Sequence, residues 1–191
     1  MSNAMARPAP IRVEDYLEGE TLTDIKHEYL DGEVVAMGGA SARHGLVVTS
    51  LGLAIGPHAR RKGCQLFIAD MKVHVEAANS FFYPDILVTC DPRDRSAEAS
   101  HVKRHPLLIV ELLSPSTEAY DRGNKFAAYR TLAALQEYVL VSLEQRRIEV
   151  FRRDDSGHWV LYPFALDEQL ELASVGLRCP VAEVFEGVEG E

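Results

Sequence analysis

The chain has 191 residues, 47% of them hydrophobic, and a formal net charge of −9. That length suits one domain with a substantial core, and no apolar run reaches membrane-spanning length or follows a secretory signal pattern. The acidic balance argues against a protein that wraps duplex DNA on a broad basic face.

Met1-Ser2-Asn3-Ala4 reads as an expression remnant ahead of Met5, which leaves 5–191 as a single domain. Ile11, Val13, Tyr16 and Leu17, spaced by acidic residues, predict a short helix over 11–20. Residues 26–37 alternate about Asp31-Gly32, the pattern of a tight β-hairpin. Gly38-Gly39 breaks the chain, and Ser41 is placed to cap a helix over 42–61. His44, Val48, Leu51, Ile55 and His58 share one stripe of that helix, and Gly63 ends it.

Residues 64–75 alternate well enough to predict one strand, with Asp70, Lys72 and His74 on its polar face. A second strand, 81–90, contains Tyr83-Pro84-Asp85-Ile86-Leu87-Val88. Residues 91–105 are polar and read as a loop. The apolar run 107–113 carries Glu111, and Pro115 stops it. Ser116 or Thr117 then caps a helix over 118–134. A buried strand follows at 138–141, then a hairpin of 147–151 with 159–164, then a short helix near 181–185. This order predicts an α/β (α+β) sandwich: a mixed central sheet, a helix on each side, and an N-terminal β-hairpin.

Asp85 and Glu111 each interrupt an apolar strand with a carboxylate. A buried carboxylate needs a partner, and two on neighbouring strands can converge on Mg²⁺ or Mn²⁺. Backbone amides or arginines would satisfy them equally, and spacing alone leaves both readings open. Lys125, by spacing, pairs with Asp121 one helical turn earlier. His44 reads as a core histidine, Glu28 as a hairpin acid and Lys72 as a strand lysine able to meet a phosphate. The basic groups His58-Ala59-Arg60-Arg61-Lys62 and Arg146-Arg147 with Arg152-Arg153 read as solvated surface.

Other chemistries find no support. Ser114 and Ser116 lack a G-x-S-x-G turn. No phosphate-cradling loop is present, and Asp91, Asp94 and Glu98 lack the glycine of a calcium loop. Cys64, Cys90 and Cys179 are scattered, odd in number and form no CxxC, so they are expected as reduced thiols of a cytoplasmic protein.

Pro84-Asp85, Glu111 within V-E-L-L-S-P-S-T, and Asp121-x-x-x-Lys125-x-x-x-Tyr129 together resemble the Uma2 family of the PD-(D/E)XK nuclease superfamily. His27-Glu28-Tyr29-Leu30-Asp31-Gly32-Glu33 and His44 extend the likeness, which covers roughly residues 12–187. The resemblance implies a restriction-endonuclease-like fold and a Mg²⁺- or Mn²⁺-dependent endonuclease acting on DNA. Asp85 and Glu111 would bind the metal and Lys125 would supply the catalytic cation. Asp121 would orient that cation, while Glu28, His44 and Tyr129 would line the pocket; the polar face of its strand adds Lys72 to them. Double-strand cleavage would imply a homodimer.

One departure stands out. The superfamily keeps a lysine two residues after the acid, and this chain has Leu113 there. If Lys125 replaces it from the helix, Lys125→Ala should spare folding and metal binding while removing cleavage. The alternative is a nuclease fold that has become a binding or regulatory module.

Overall fold

The fold, a computed structural model, describes residues 9–188; the expression remnant expected at 1–4 lies outside them. Helix α1 spans Val13–Gly19, and the predicted hairpin follows as β1 (His27–Leu30) and β2 (Glu33–Ala36). Asp31 and Gly32 both take positive φ, 48° and 99°, the conformation a two-residue hairpin turn demands. A Cβ at Gly32 would also meet Pro10 Cβ at 2.5 Å. Helix α2 (Ala42–Arg61) is capped by Ser41, whose side chain accepts from His44 N at 3.2 Å.

The expected single strand over 64–75 is two strands in different sheets, β3 (Gln65–Ile68) and β4 (Lys72–Val75). Ala69 sits between them at φ 58°, a left-handed kink that ends the extended run. The expected strand over 81–90 divides likewise into β5 (Ser80–Phe82) and β6 (Ile86–Thr89), so Asp85 stands at the mouth of β6. The polar 91–105 segment is pinned rather than loose. Asp94 is buried and accepts from Thr89 Oγ1, Arg104 N and His105 N. Within the segment β7 (Val102–Lys103) pairs parallel with β4.

Strand β8 (Pro106–Leu113) leads to α3 (Glu118–Tyr120), a π-helical turn (Asp121–Lys125) and α4 (Phe126–Tyr129). The helix expected over 118–134 is therefore shorter and widened in the middle. Asp121 O accepts from the Tyr138 hydroxyl at 3.0 Å, and a side chain entering the backbone ladder is a recognised cause of such a distortion. Then come β9 (Glu137–Ser142), the hairpin β10 (Arg147–Arg153) with β11 (Trp159–Phe164), the hairpin β12 (Gln169–Leu172) with β13 (Leu177–Pro180), and α5 (Val181–Val184). The β12–β13 hairpin was not anticipated. It is tied to the main sheet by buried Glu137, which accepts from Ala173 N, Ser174 N and Ser174 Oγ.

Two sheets result. One has the order β2-β1-β5-β4-β7, the other β11-β10-β9-β8-β6-β3. Both are mixed, with β8 and β9 parallel in the larger. One face of the larger sheet, through Ile86, Val88, Val110 and Val139, packs on Val47, Val48, Leu51 and Ile55 of α2. Its other face, through Leu87, Ile109, Leu113 and Leu140, packs on Phe126 and Tyr129 and on Val73 and Phe82 of the smaller sheet. The expected layout of a mixed sheet with helices on both sides is thus observed.

The thiol expectation is corrected. Cys64 and Cys90 form a disulfide, and only Cys179 is free. The β3–β6 pairing explains it: Gln65 faces Thr89, so one step outward sets Cys64 opposite Cys90, with Cα atoms 4.1 Å apart. The link spans 26 residues, and loop-closure entropy gives such a span about 3–4 kcal/mol. Cys90→Ser, or reduction of the parent, should therefore lower the urea midpoint of unfolding. An unchanged midpoint under reducing conditions would show that the bridge contributes nothing.

Candidate functional site

Strand register builds the site. Ile86 faces Val110 across the antiparallel β6–β8 pair, so one residue further sets Asp85 opposite Glu111. Directly opposed residues share a face, with Cβ atoms about 5 Å apart. Glu111 lies in the row of Ile109 and Leu113, which faces the α3–α4 segment. Asp85 is reached from the other side as well. Its Oδ1 lies 2.9 Å from His44 Nε2 on α2, and its Oδ2 accepts from Leu112 N at 2.7 Å.

Lys125 closes the cluster. Its ammonium lies 2.9 Å from Glu28 Oε1, 3.0 Å from Glu111 Oε1 and 3.5 Å from Asp121 Oδ1, with only 7% of its side chain exposed. Glu28 comes from β1, where its Oε1 also accepts from Tyr83 N. The Tyr129 hydroxyl donates to Glu111 Oε1 at 3.1 Å. Seven of the eight anticipated residues thus meet: Glu28, His44, Asp85, Glu111, Asp121, Lys125 and Tyr129. Lys72 instead lies over the Tyr83 ring, with Glu20 Oε2 4.0 Å away. Leu113 is buried in the core and offers no cation.

The expected mutant phenotype of Lys125 changes with this geometry. Lys125 is no surface partner of Asp121 but a buried counter-ion to three carboxylates. Its removal leaves uncompensated buried charge, which costs about 3–5 kcal/mol.

The electrostatics follow from the count of charges. Burial alone would lower the Lys125 pKa, but Glu111, Glu28 and Asp121 more than offset it and hold the ammonium charged. Burial pushes the Glu111 carboxyl well above its usual range; Lys125 opposes this, while Asp85, Asp121 and Glu28 add to it. The hydrogen bond to Asp85 raises the pKa of His44. Carboxylates outnumber cations here: Glu28, Asp85, Glu111 and Asp121 surround the Lys125 ammonium and the His44 ring.

The donor set suits a hard divalent ion. Among the described residues no cluster of three or more His, Cys, Asp or Glu side chains is arranged to hold a metal. Mg²⁺, however, takes only one or two carboxylates from many proteins and completes its shell with water and phosphate. Asp85 and Glu111 meet that requirement. Each Asp85 oxygen has a second lone pair beyond the bond it already accepts.

Residues 13–182 match the Uma2 family, described as "Putative restriction endonuclease". This chain belongs to the Uma2 family. Two relatives come from Synechocystis sp. One, "Uncharacterized protein slr1290", is 36% identical over 189 residues, 98% of each chain. The other, "Uncharacterized protein sll1609", is 30% identical over 147 residues, 77% of this chain and 83% of that one. A crystal structure of a putative nuclease belonging to DUF820 from Anabaena variabilis superposes with a TM-score of 0.75. It covers 92% of this chain and 98% of its own at 16% identity, and so shows a shared fold. Family and fold agree on a nuclease-type, restriction-endonuclease-like protein, and among the described residues no helix is long and apolar enough to cross a membrane.

Glu20 was missed by sequence reasoning. It follows α1 in a stretch without periodicity, yet its side chain is 4% exposed and binds Tyr83 Oη and His27 Nδ1. A buried acid between a helix end and a strand leaves no pattern in a single sequence.

The raised Glu111 pKa sets a pH dependence for this Uma2 site. The folded protein holds the Glu111 proton more tightly than the unfolded chain, whose value is near 4.5. The resulting stabilisation is complete below that value and is lost as pH rises toward the folded one. Each unit of difference is worth about 1.4 kcal/mol. Without divalent ions, the parent should lose stability relative to Glu111→Gln as pH is raised from about 4.5 through neutrality. Parallel stability curves for parent and variant would show that Glu111 ionises in the fold without penalty.

Proposed function

We propose that this protein is a divalent-metal-dependent phosphodiesterase that cleaves DNA. The observation that carries the reading is the partly buried Asp85 set opposite buried Glu111, with the Lys125 ammonium 3.0 Å from Glu111. Asp85 and Glu111 would hold Mg²⁺ or Mn²⁺, which when bound would neutralise phosphate charge and lower the pKa of a bound water.

The chain's own groups serve that site in distinct ways. His44 and the Leu112 amide fix the Asp85 carboxylate from two sides. The Tyr129 hydroxyl fixes Glu111. Glu28 and Asp121 hold Lys125 in place, and its positive charge would offset the negative charge that a phosphate bound at Asp85 and Glu111 gains. Lys125 thereby supplies from the helical segment what Leu113 cannot supply from the strand. One such site cuts one strand, so cleavage of a duplex would use two copies of the chain.

A second reading, a binding or regulatory module without catalysis, is favoured by one feature. Two surface cavities, of about 840 and 510 Å³, run along α2 and are lined by none of the site residues. Turnover separates the readings.

Mn²⁺ at one hundred times its dissociation constant should stabilise the parent by about 2.7 kcal/mol. Asp85→Asn and Glu111→Gln should each remove most of that gain. Lys125→Met should start less stable, keep a metal response and lose DNA cleavage. Equal metal responses in parent, Asp85→Asn and Glu111→Gln would remove the metal site from this position.

A further inference from the structure

Tyr83, two residues before Asp85, carries a second polar cluster that the chemistry above does not use. Two ammonium groups approach its ring, Lys72 Nζ at 5.2 Å and Lys26 Nζ at 5.9 Å from the centroid. The Tyr83 hydroxyl is held by Glu20 at 2.6 Å.

Lys72 is the unusual member. Only 12% of its side chain is exposed, yet its nearest carboxylate oxygen, on Glu20, is 4.0 Å away. That is outside hydrogen-bond reach. An ammonium has three donors, and those of Lys72 remain open to solvent. Partial burial lowers its pKa, with Glu20 opposing. Glu20 is bonded to Tyr83 and His27 and holds the ring, with Lys72 beyond hydrogen-bond reach.

Lys26 sits on the same ring at a more open place. Its partner Asp70 has a side chain 73% exposed, and exposed pairs are weak and easily exchanged. Both ammonium groups lie against one ring, and at Lys72 the three donors are open to an incoming phosphate oxygen.

The location points to the same substrate. Lys26 Nζ donates to Ala69 O at 3.1 Å, and Ala69 N donates to Asp85 O at 3.0 Å. Lys26 is thus one residue away from the backbone that presents Asp85.

We propose that Lys26 and Lys72, seated on Tyr83, form a phosphate subsite that grips a nucleic-acid strand at a phosphodiester neighbouring the one presented to Asp85 and Glu111. The proposal rests on the nuclease reading and assigns the strand contact that an acidic protein needs. It is also a narrow contact, two charges rather than a basic face.

The test is binding without divalent ions, so that cleavage plays no part. A labelled short single-stranded DNA is titrated with the parent, with Lys26→Gln/Lys72→Gln and with Lys26→Arg/Lys72→Arg, across a series of salt concentrations. The Gln pair should bind on the order of tenfold more weakly. Its slope of log affinity against log salt should be shallower by about 1.4, at 0.7 for each lost contact. The Arg pair should retain most of the affinity. Far-ultraviolet circular dichroism and melting confirm that each variant is folded.

Inorganic phosphate added as a competitor should displace the strand only weakly. Tight phosphate binding without strand binding, no strand binding by the parent, or equal slopes in parent and Gln pair would each overturn the subsite. The Mn²⁺ stability shift of the same proteins keeps the two readings apart. A parent without that shift but with lysine-dependent strand binding loses the metal site and keeps the subsite. The reverse pattern loses the subsite alone.

Discussion

Everything around the candidate site depends on one buried ammonium. Lys125 reaches from a π-helical turn into the space between two sheets, touching Glu28 of the smaller sheet and Glu111 of the larger at about the same distance, 2.9 and 3.0 Å. Desolvated carboxylates without a counter-ion are costly, and Lys125 is the counter-ion that Glu28 and Glu111 share. The widened turn matters here. It keeps Asp121 and Lys125 both directed inward while Phe126 and Tyr129 continue into the core. The π geometry, frequent at functional positions, is thus the local form that serves packing and charge together.

A single cation does not balance the site. Glu28, Asp85, Glu111 and Asp121 are opposed by Lys125 and, when protonated, by His44. Burial raises the Glu111 pKa, Lys125 opposes that, and the neighbouring carboxylates of Asp85, Asp121 and Glu28 add to it. On the proposed reading, stability and function are in tension at this point: the site carries a charge imbalance that a bound divalent ion would remove. The neighbouring strand ends are firmly anchored, by the Cys64–Cys90 bridge at one end of β6 and by the bond of Asp85 to Leu112 N at the other. A rigid frame around an unbalanced charge is what preorganised ion binding requires.

Much of this was legible in the sequence because it rests on strands and their parity. Asp85 and Glu111 were readable as acids set into apolar runs, and parity placed Glu111 with Ile109 and Leu113. Lys125 was readable only through the family pattern, since by spacing it looked like half of a surface pair. What failed were features that depend on where a chain folds back. The alternation over 64–75 concealed the kink at Ala69, which sends β3 and β4 to different sheets. Without that kink the β3–β6 register is invisible, and with it the Cys64–Cys90 pairing. Lys72 was grouped with the pocket by its polar face, whereas its neighbours Glu20 and Tyr83 come from segments whose meeting no local pattern records.

The measurement that tests the account most directly is anomalous diffraction from crystals soaked in Mn²⁺. The account predicts a peak between the Asp85 and Glu111 carboxylates, with Lys125 still within ion-pair reach of Glu28. A peak elsewhere, or none at concentrations that saturate related two-carboxylate sites, would contradict it.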